Sequence, residues 1–150
     1  MKQILKRKKQ GKTDYGARIH LLKSANPRLV VRKSNMYIIA QVVEAKEAQD
    51  KTICYVHSKE LVKQGWKSSF KNIPAAYLVG KMIAKKAQEK KIKICNLDIG
   101  RQTSTKGSRL YAVVKGAIES GLEINCDKKM LPSDERVQGK NIKNETKKTK

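Results

Sequence analysis

The stretch Arg28-Leu29-Val30-Val31-Arg32-Lys33-Ser34-Asn35-Met36-Tyr37-Ile38-Ile39-Ala40-Gln41-Val42-Val43 constrains this chain most. Its β-branched residues predict two strands around a polar turn at Lys33-Ser34-Asn35, where Ser and Asn bond nearby backbone and tolerate turn geometry. On the second strand Met36, Ile38, Ala40 and Val42 share one face and Tyr37, Ile39, Gln41 and Val43 the other. Both faces are largely apolar, which predicts a central strand covered on both sides. On the first strand Arg28 and Arg32 share a face with Val30. Basic residues along one strand and at the hairpin tip predict a rigid platform for an anionic partner.

Charge strengthens that expectation. The 150 residues hold 35 Lys and Arg against 13 Asp and Glu, a formal net charge of +22. A small domain needs only about 2–8 net charges for solubility, so the excess points to a polyanion, and nucleic acid is the commonest one. The ends are the most basic parts. Residues 1–33 carry eleven basic residues against one acid, and residues 128–150 eight against three. This predicts a basic arm at 1–13, one α/β body at 14–139, and a basic tail at 140–150 that is disordered until bound. The length suits one domain.

Three separated cysteines, Cys54, Cys95 and Cys126, and no apolar leader at the start predict free thiols and a cytoplasmic protein. No stretch suits a membrane span. No membrane partner and no homo-oligomer are expected.

Along the chain, Lys6-Arg7-Lys8-Lys9 reads as extended and solvated. Thr13 or Asp14 caps a short helix at 15–23, with Tyr15, Ile19 and Leu22 inward, Arg18 beside them, and Gly16 weakening it. Asn26-Pro27 ends it. The polar stretch 44–51 reads as a turn, and 52–58 as a third strand antiparallel to the second. The loop at 63–71 holds the only Trp and the only Phe between lysines. Trp66 beside Lys67 can stack on a base, but anchoring to the core is favoured because large aromatics carry much burial energy.

Asn72 or Ile73 then caps the clearest helix, with Pro74 in its first turn. Ala75, Leu78, Val79, Met82, Ile83 and Ala87 recur at helical spacing. Residues 92–98 read as a strand parallel to the third through a βαβ crossover. Ser108 caps a last long helix at 109–120, stopped by Gly121, and 122–125 form a short extended piece. Residues 132–136 are placed to nucleate one helical turn. The fold class is therefore α/β: a mixed sheet of three antiparallel strands plus one parallel strand, with helices packed on it.

No catalytic or metal constellation emerges. The order Lys106-Gly107-Ser108 and the glycine spacing fail the phosphate-loop pattern. The same loop still has two open readings. It can present Lys106, Arg109 and backbone N–H groups to a phosphate, or it can simply be solvated. Cys54 and His57 lack a second pair to complete a zinc site. Asp98 ends a strand but lacks converging acids for metal-dependent nuclease chemistry, so it reads as a loop or cap residue. No cofactor is expected.

An ordered set of segments carries a resemblance. Gly11-Lys12-Thr13-Asp14-Tyr15, Pro27-Arg28-Leu29-Val30-Val31-Arg32-Lys33, Tyr37-Ile38-Ile39-Ala40-Gln41 and Gly65-Trp66-Lys67 come first. Asn72-Ile73-Pro74-Ala75-Ala76-Tyr77-Leu78-Val79-Gly80, Leu97-Asp98-Ile99-Gly100, Thr105-Lys106-Gly107-Ser108-Arg109 and residues 132–139 follow. Together they resemble the universal ribosomal protein family L-eighteen in its archaeal form, related to the larger eukaryotic L-five protein. The resemblance implies a ribonuclease-H-like arrangement without catalytic activity. It also implies a large-subunit protein that binds 5S rRNA, helps attach it to 23S rRNA in the central protuberance, and touches neighbouring ribosomal proteins. A non-ribosomal RNA-binding or RNA-processing module on the same scaffold is the alternative.

On this view Lys6, Arg7, Lys8, Lys9, Lys12, Arg18, Arg28, Arg32 and Lys33 neutralise phosphates. Ser34, Asn35, Tyr37 and Gln41 meet sugars or unstacked bases. Thr13, Tyr15, Trp66, Lys67, Lys106 and Arg109 complete the candidate RNA-binding set.

Overall fold

The computed structural model describes residues 6–46 and 49–140. The expected disordered tail therefore lies, beyond Lys140, outside the described residues, as do the first five residues of the expected arm.

The hairpin forms as its pattern dictates. β1 (Arg28–Lys33) pairs antiparallel with β2 (Ile38–Lys46), Arg28 opposite Val43 and Lys33 opposite Ile38. The turn between them is held by Ser34, whose Oγ accepts from the Tyr37 N–H at 2.9 Å while its own N–H donates to the Tyr37 carbonyl at 2.8 Å. β2 starts two residues later than expected, because Met36 belongs to the turn and is 65% exposed.

The stretch 44–51 does not turn as a whole. It extends the ladder between β2 and β3 (Gln49–His57), with Glu44 opposite Lys51 and Ala45 opposite Asp50. Opposite charges facing each other across an antiparallel pair are favourable, so polar composition here marks an exposed ribbon. A register shift between Val42 and Val43 re-aims its end.

A 3₁₀ helix, Ser58–Gln64, follows, and its start is a reciprocal cap. His57 Nδ1 accepts from the Lys59 N–H, and Glu60 accepts from the His57 N–H. It occupies the position where Cys54 and His57 invited comparison with a zinc pair. Trp66 is half-buried against the core, in line with the favoured reading, and its indole N–H donates to the Ser69 carbonyl.

α3 (Ile73–Glu89) starts where expected, with Asn72 Oδ1 accepting from the Ala75 N–H at 2.9 Å and Pro74 in the first turn. β4 (Ile94–Asp98) then lies parallel, but beside β1 rather than β3, Arg28 opposite Asn96 and Val30 opposite Asp98. The crossover thus passes over two strands. Strand periodicity identifies β4 without naming its neighbour. α4 (Arg109–Glu119) and the two-residue β5 (Glu123–Ile124) complete a five-stranded mixed sheet in the order β3-β2-β1-β4-β5. One turn of helix, α5 (Asp134–Val137), follows.

α3 and α4 cover one face of the sheet only. Leu29, Val31, Ile38, Ala40, Val42, Cys54 and Val56 are buried beneath them, with Val79, Ile83, Leu110, Val113 and Val114 facing down. On the other face Ile39 and Gln41 remain half-exposed. β2 is therefore central but not covered equally on both sides.

Two glycines set how closely the helices lie. A Cβ at Gly80 would fall 2.1 Å from the Val113 carbonyl oxygen, and one at Gly116 would fall 2.2 Å from that of Tyr77. Each glycine costs its helix about 1 kcal/mol and in return allows backbone-to-backbone contact. Gly80→Ala is expected to destabilise the protein by about 3 kcal/mol, the upper end for an overpacked core, read as a lowered urea midpoint.

The cysteines are free. Burial pushes the Cys95 thiol up to about 11 and moves Cys54 and Cys126 upward as well. Thiolate is the reactive form, so iodoacetamide at pH 8 should leave Cys95 unmodified in the native protein and alkylate all three cysteines in urea, scored by mass spectrometry.

A candidate nucleic-acid interface on the open sheet face

The uncovered face begins with the residue alternation of β1. Arg28, Val30 and Arg32 point away from the helices, beside Ile39, Gln41 and Val43 of β2 and Asn96 and Asp98 of β4. Above them stand two N-terminal elements, α1 (Lys6–Lys9) and α2 (Tyr15–Leu22).

α1 replaces the extended run expected at 6–9. Gly11, at φ +63°, lets the chain reverse, with the Gly11 N–H donating to the Lys8 carbonyl and the Lys12 N–H to the Arg7 carbonyl. Asp14 caps α2 by accepting from the Ala17 N–H at 3.2 Å. α2 buries no residue fully, and Ile19, expected inward, is 57% exposed. Arg18 is the side chain that ties α2 down.

Arg18 opens a chain of charges across the sheet. Its Nη2 lies 2.9 Å from Asp50 Oδ2, and Asp50 Oδ1 accepts from Arg28 Nη2 at 2.8 Å. Arg28 Nη1 donates to Asp98 Oδ2 at 2.9 Å, and Asp98 Oδ1 accepts from Arg32 Nη2 at 2.9 Å. The Asp98 carbonyl takes a further bond from Arg32 Nη1, and its Oδ1 one from the Gly100 N–H at 2.8 Å. Asp98 is therefore neither a loop nor a cap residue but the buried hub of the face. Gly100, at φ +62°, leaves room for the Arg32 guanidinium, which a Cβ would meet at 2.9 Å.

This network sets two of the arginines apart. Arg28 is only 3% exposed, with both terminal nitrogens on carboxylates, so it is not presented to a phosphate. Its role is to hold Asp98 and Asp50. Arg32 keeps 39% of its side chain exposed and is held in a fixed orientation. The carboxylates are consumed by the arginines, and no metal-binding cluster of His, Cys, Asp or Glu occurs among the described residues.

Between the sheet and the N-terminal elements lies a cleft of about 600 Å³. It brings together Arg7, Lys12, Thr13, Arg18, Arg28, Arg32 and Gln41 from the sequence-derived set. Arg7 Nε donates to Thr13 Oγ1 at 2.9 Å, which holds α1 over the opening. Tyr15 borders an adjoining depression with Arg7 and Arg18. Lys6, Lys8 and Lys9 are exposed on α1.

Other candidates lie elsewhere. Lys33, Ser34 and Asn35 are exposed at the hairpin end. Tyr37 is half-buried there, its ring 4.7 Å from that of His57 and 5.9 Å from that of Phe70. Trp66 borders a hollow that also holds Glu119 and Asp134, an acidic setting remote from the cleft. Lys67 and Lys106 are exposed in loops, and Arg109 sits at the start of α4. Sequence reasoning missed Arg101, which lines the cleft, and Asp50, which closes it. A cation directly after Gly100, two residues past the end of β4, was the available signal for Arg101.

A mixed α/β sheet with helices on one side and a cation-rich cleft on the other, its acids locked in arginine pairs, defines a polyanion-binding protein. The family described as "Ribosomal large subunit proteins 60S L5, and 50S L18" matches residues 1–94. Large ribosomal subunit protein uL18 of Korarchaeum cryptofilum is 47% identical over 137 residues, 91% of this chain and 70% of the relative. That of Caldivirga maquilingensis is 47% identical over 138 residues, covering 91% and 67%. The Aeropyrum pernix protein of the same name is 43% identical over 139 residues, covering 92% and 65%. The chain belongs to this L5/L18 family of structural proteins of the large ribosomal subunit.

Asp98→Asn keeps the shape of the hub and removes its charge, leaving Arg28 buried against an incomplete set of partners. Breaking such a pair from one side costs about 3–5 kcal/mol, expected as a fall in urea-unfolding free energy of that size.

Proposed function

We propose that the chain binds 5S rRNA through the open sheet face and the basic arm beside it, and helps attach that RNA to 23S rRNA in the central protuberance. The observation that carries this reading is the cleft, where Arg7, Lys12, Arg18, Arg32 and Arg101 converge from four parts of the chain. Family membership supports the ribosomal setting.

The division of labour follows from the geometry. Lys6, Arg7, Lys8, Lys9 and Lys12 supply charge on short, exposed elements and neutralise phosphates. Arg18 and Arg32, oriented by Asp50 and Asp98, place bidentate donors at set positions. Gln41, on the floor, and Ser34, Asn35 and Tyr37, at the hairpin end, reach sugars or unstacked bases, where sequence in RNA is accessible. Residues 1–13 act as the arm, 14–139 as the body and 140–150 as a tail. Neighbouring ribosomal proteins meet the surfaces that RNA leaves free.

With about six phosphates neutralised, log K for 5S rRNA should fall against log salt with a slope near −4 to −5, between the single-strand and duplex limits. The Arg7→Gln, Lys12→Gln variant should lower that slope by about 1.4–1.8 while the melting temperature holds. A flat salt response in a filter-binding titration, or equal affinity for an unrelated RNA of the same length, refutes 5S rRNA recognition by this face.

A further inference from the structure

A second cation-lined groove lies on the helix side of the sheet. It has a volume of about 590 Å³ and runs where the starts of α3 and α4 meet the hairpin end of β1. Four cations from separate segments line it: Lys33 of β1, Lys71 ahead of α3, Arg109 of α4 and Arg136 of α5. No carboxylate lines it. None of the four is ion-paired among the described residues. Lys71 and Arg136 have no part in the open-face cleft, and the two depressions share no residue. Arg32 and Lys33 are consecutive on β1, so their side chains leave opposite faces of the sheet.

The groove is built rather than incidental. Arg109 Nη1 donates to the Lys71 carbonyl at 3.3 Å, which fixes the guanidinium and leaves its other N–H groups free to turn outward. Gly107, at φ +64°, is anchored by its N–H on the Met130 carbonyl at 2.9 Å. A Cβ there would meet Arg136 Nη1 at 2.8 Å, so the glycine is what lets Arg136 lie across the loop. Ser108 holds the N-cap position of α4 yet makes no capping bond, and its Oγ is shut from solvent with no partner. The first N–H groups of α4 thus lack the side-chain acceptor that a serine usually gives, at an end of the helix that favours negative charge.

We propose that this groove holds the sugar–phosphate backbone of an RNA segment distinct from whatever occupies the open sheet face. Guanidinium forks, an ammonium and uncapped N–H groups match phosphate oxygens. Ser69 and Thr105 add hydroxyls suited to sugar and phosphate contacts. No aromatic ring lines the groove, so it grips backbone and does not stack bases. The inference rests on the large-subunit assignment and not on which RNA the open face takes.

Photo-crosslinking in assembled large subunits tests it, with p-benzoylphenylalanine at the exposed position Lys71 and, in a parallel sample, at Gln41 of the open face. The expected result is an RNA crosslink at Lys71 that maps to a different segment from any at Gln41. Crosslinks at both positions to one continuous segment overturn the proposal, as does capture of protein alone, or of nothing, at Lys71. RNA at Lys71 with none at Gln41 upholds the groove and counts against the open face instead. As a second measure, the Lys71→Gln, Arg136→Gln chain, both positions being exposed, should melt like the parent. Its binding to the captured segment, made as a transcript, should show a salt slope shallower by about 1.4–1.8. An unchanged slope overturns the phosphate assignment.

Discussion

The contact between Arg28 and Asp98 decides what this sheet can be used for. It joins β1, a hairpin strand, to β4, a strand that arrives parallel after a helix has crossed two others. Burying such a pair stabilises a fold little more than an apolar pair of the same volume would, because desolvation offsets the attraction. Its effect here is geometric. Asp98 has three more bonds to fill after Arg28, and these hold Arg32 and Gly100; Asp50, on Arg28's other nitrogen, holds Arg18. Two carboxylates therefore orient three guanidinium groups. The arrangement remains positive overall, so it organises the face without neutralising it.

The helix layer makes that face available. Because Gly80 and Gly116 bring α3 and α4 into backbone contact, two helices suffice to cover the five-stranded sheet from one side. The other side then needs only partial shelter, and α2 supplies it while burying no residue completely. A helix held by an ion pair and a few half-buried side chains is a weakly attached element, of the kind that adjusts when a ligand arrives. Tight packing on one face and loose cover on the other come from the same allocation of apolar residues.

How far the sequence disclosed this depended on how local each interaction is. The β1–β2 hairpin, α3 and α4 were legible because periodicity and capping act within a few residues, as with Asn72 and Ala75. The β2–β3 ribbon was misread as a turn because Glu44, Asp50 and Lys51 look like loop composition until they are paired. Arg28 looked like a surface cation because its partner lies seventy residues away. Asp98 looked like a cap for the same reason. The candidate site was legible as a list of basic residues. It was not legible as a division between those that face solvent, such as Lys12, and those that hold carboxylates.

That division bears on why so cationic a chain folds at all. A net charge of +22 on 150 residues opposes compaction by self-repulsion. The described ion pairs set acids against cations within the body: Asp50 and Asp98 under the cleft, Glu60 beside Lys86, Asp134 beside Lys115. The body is thereby balanced enough to pack, and the surplus is displaced to α1, the hairpin end and the edges of the helix layer. Those are the places from which cations reach outward with no acid in between. The same residue type thus takes two places: Arg28, buried on two carboxylates, serves the fold, and exposed cations such as Lys12 stay turned toward solvent.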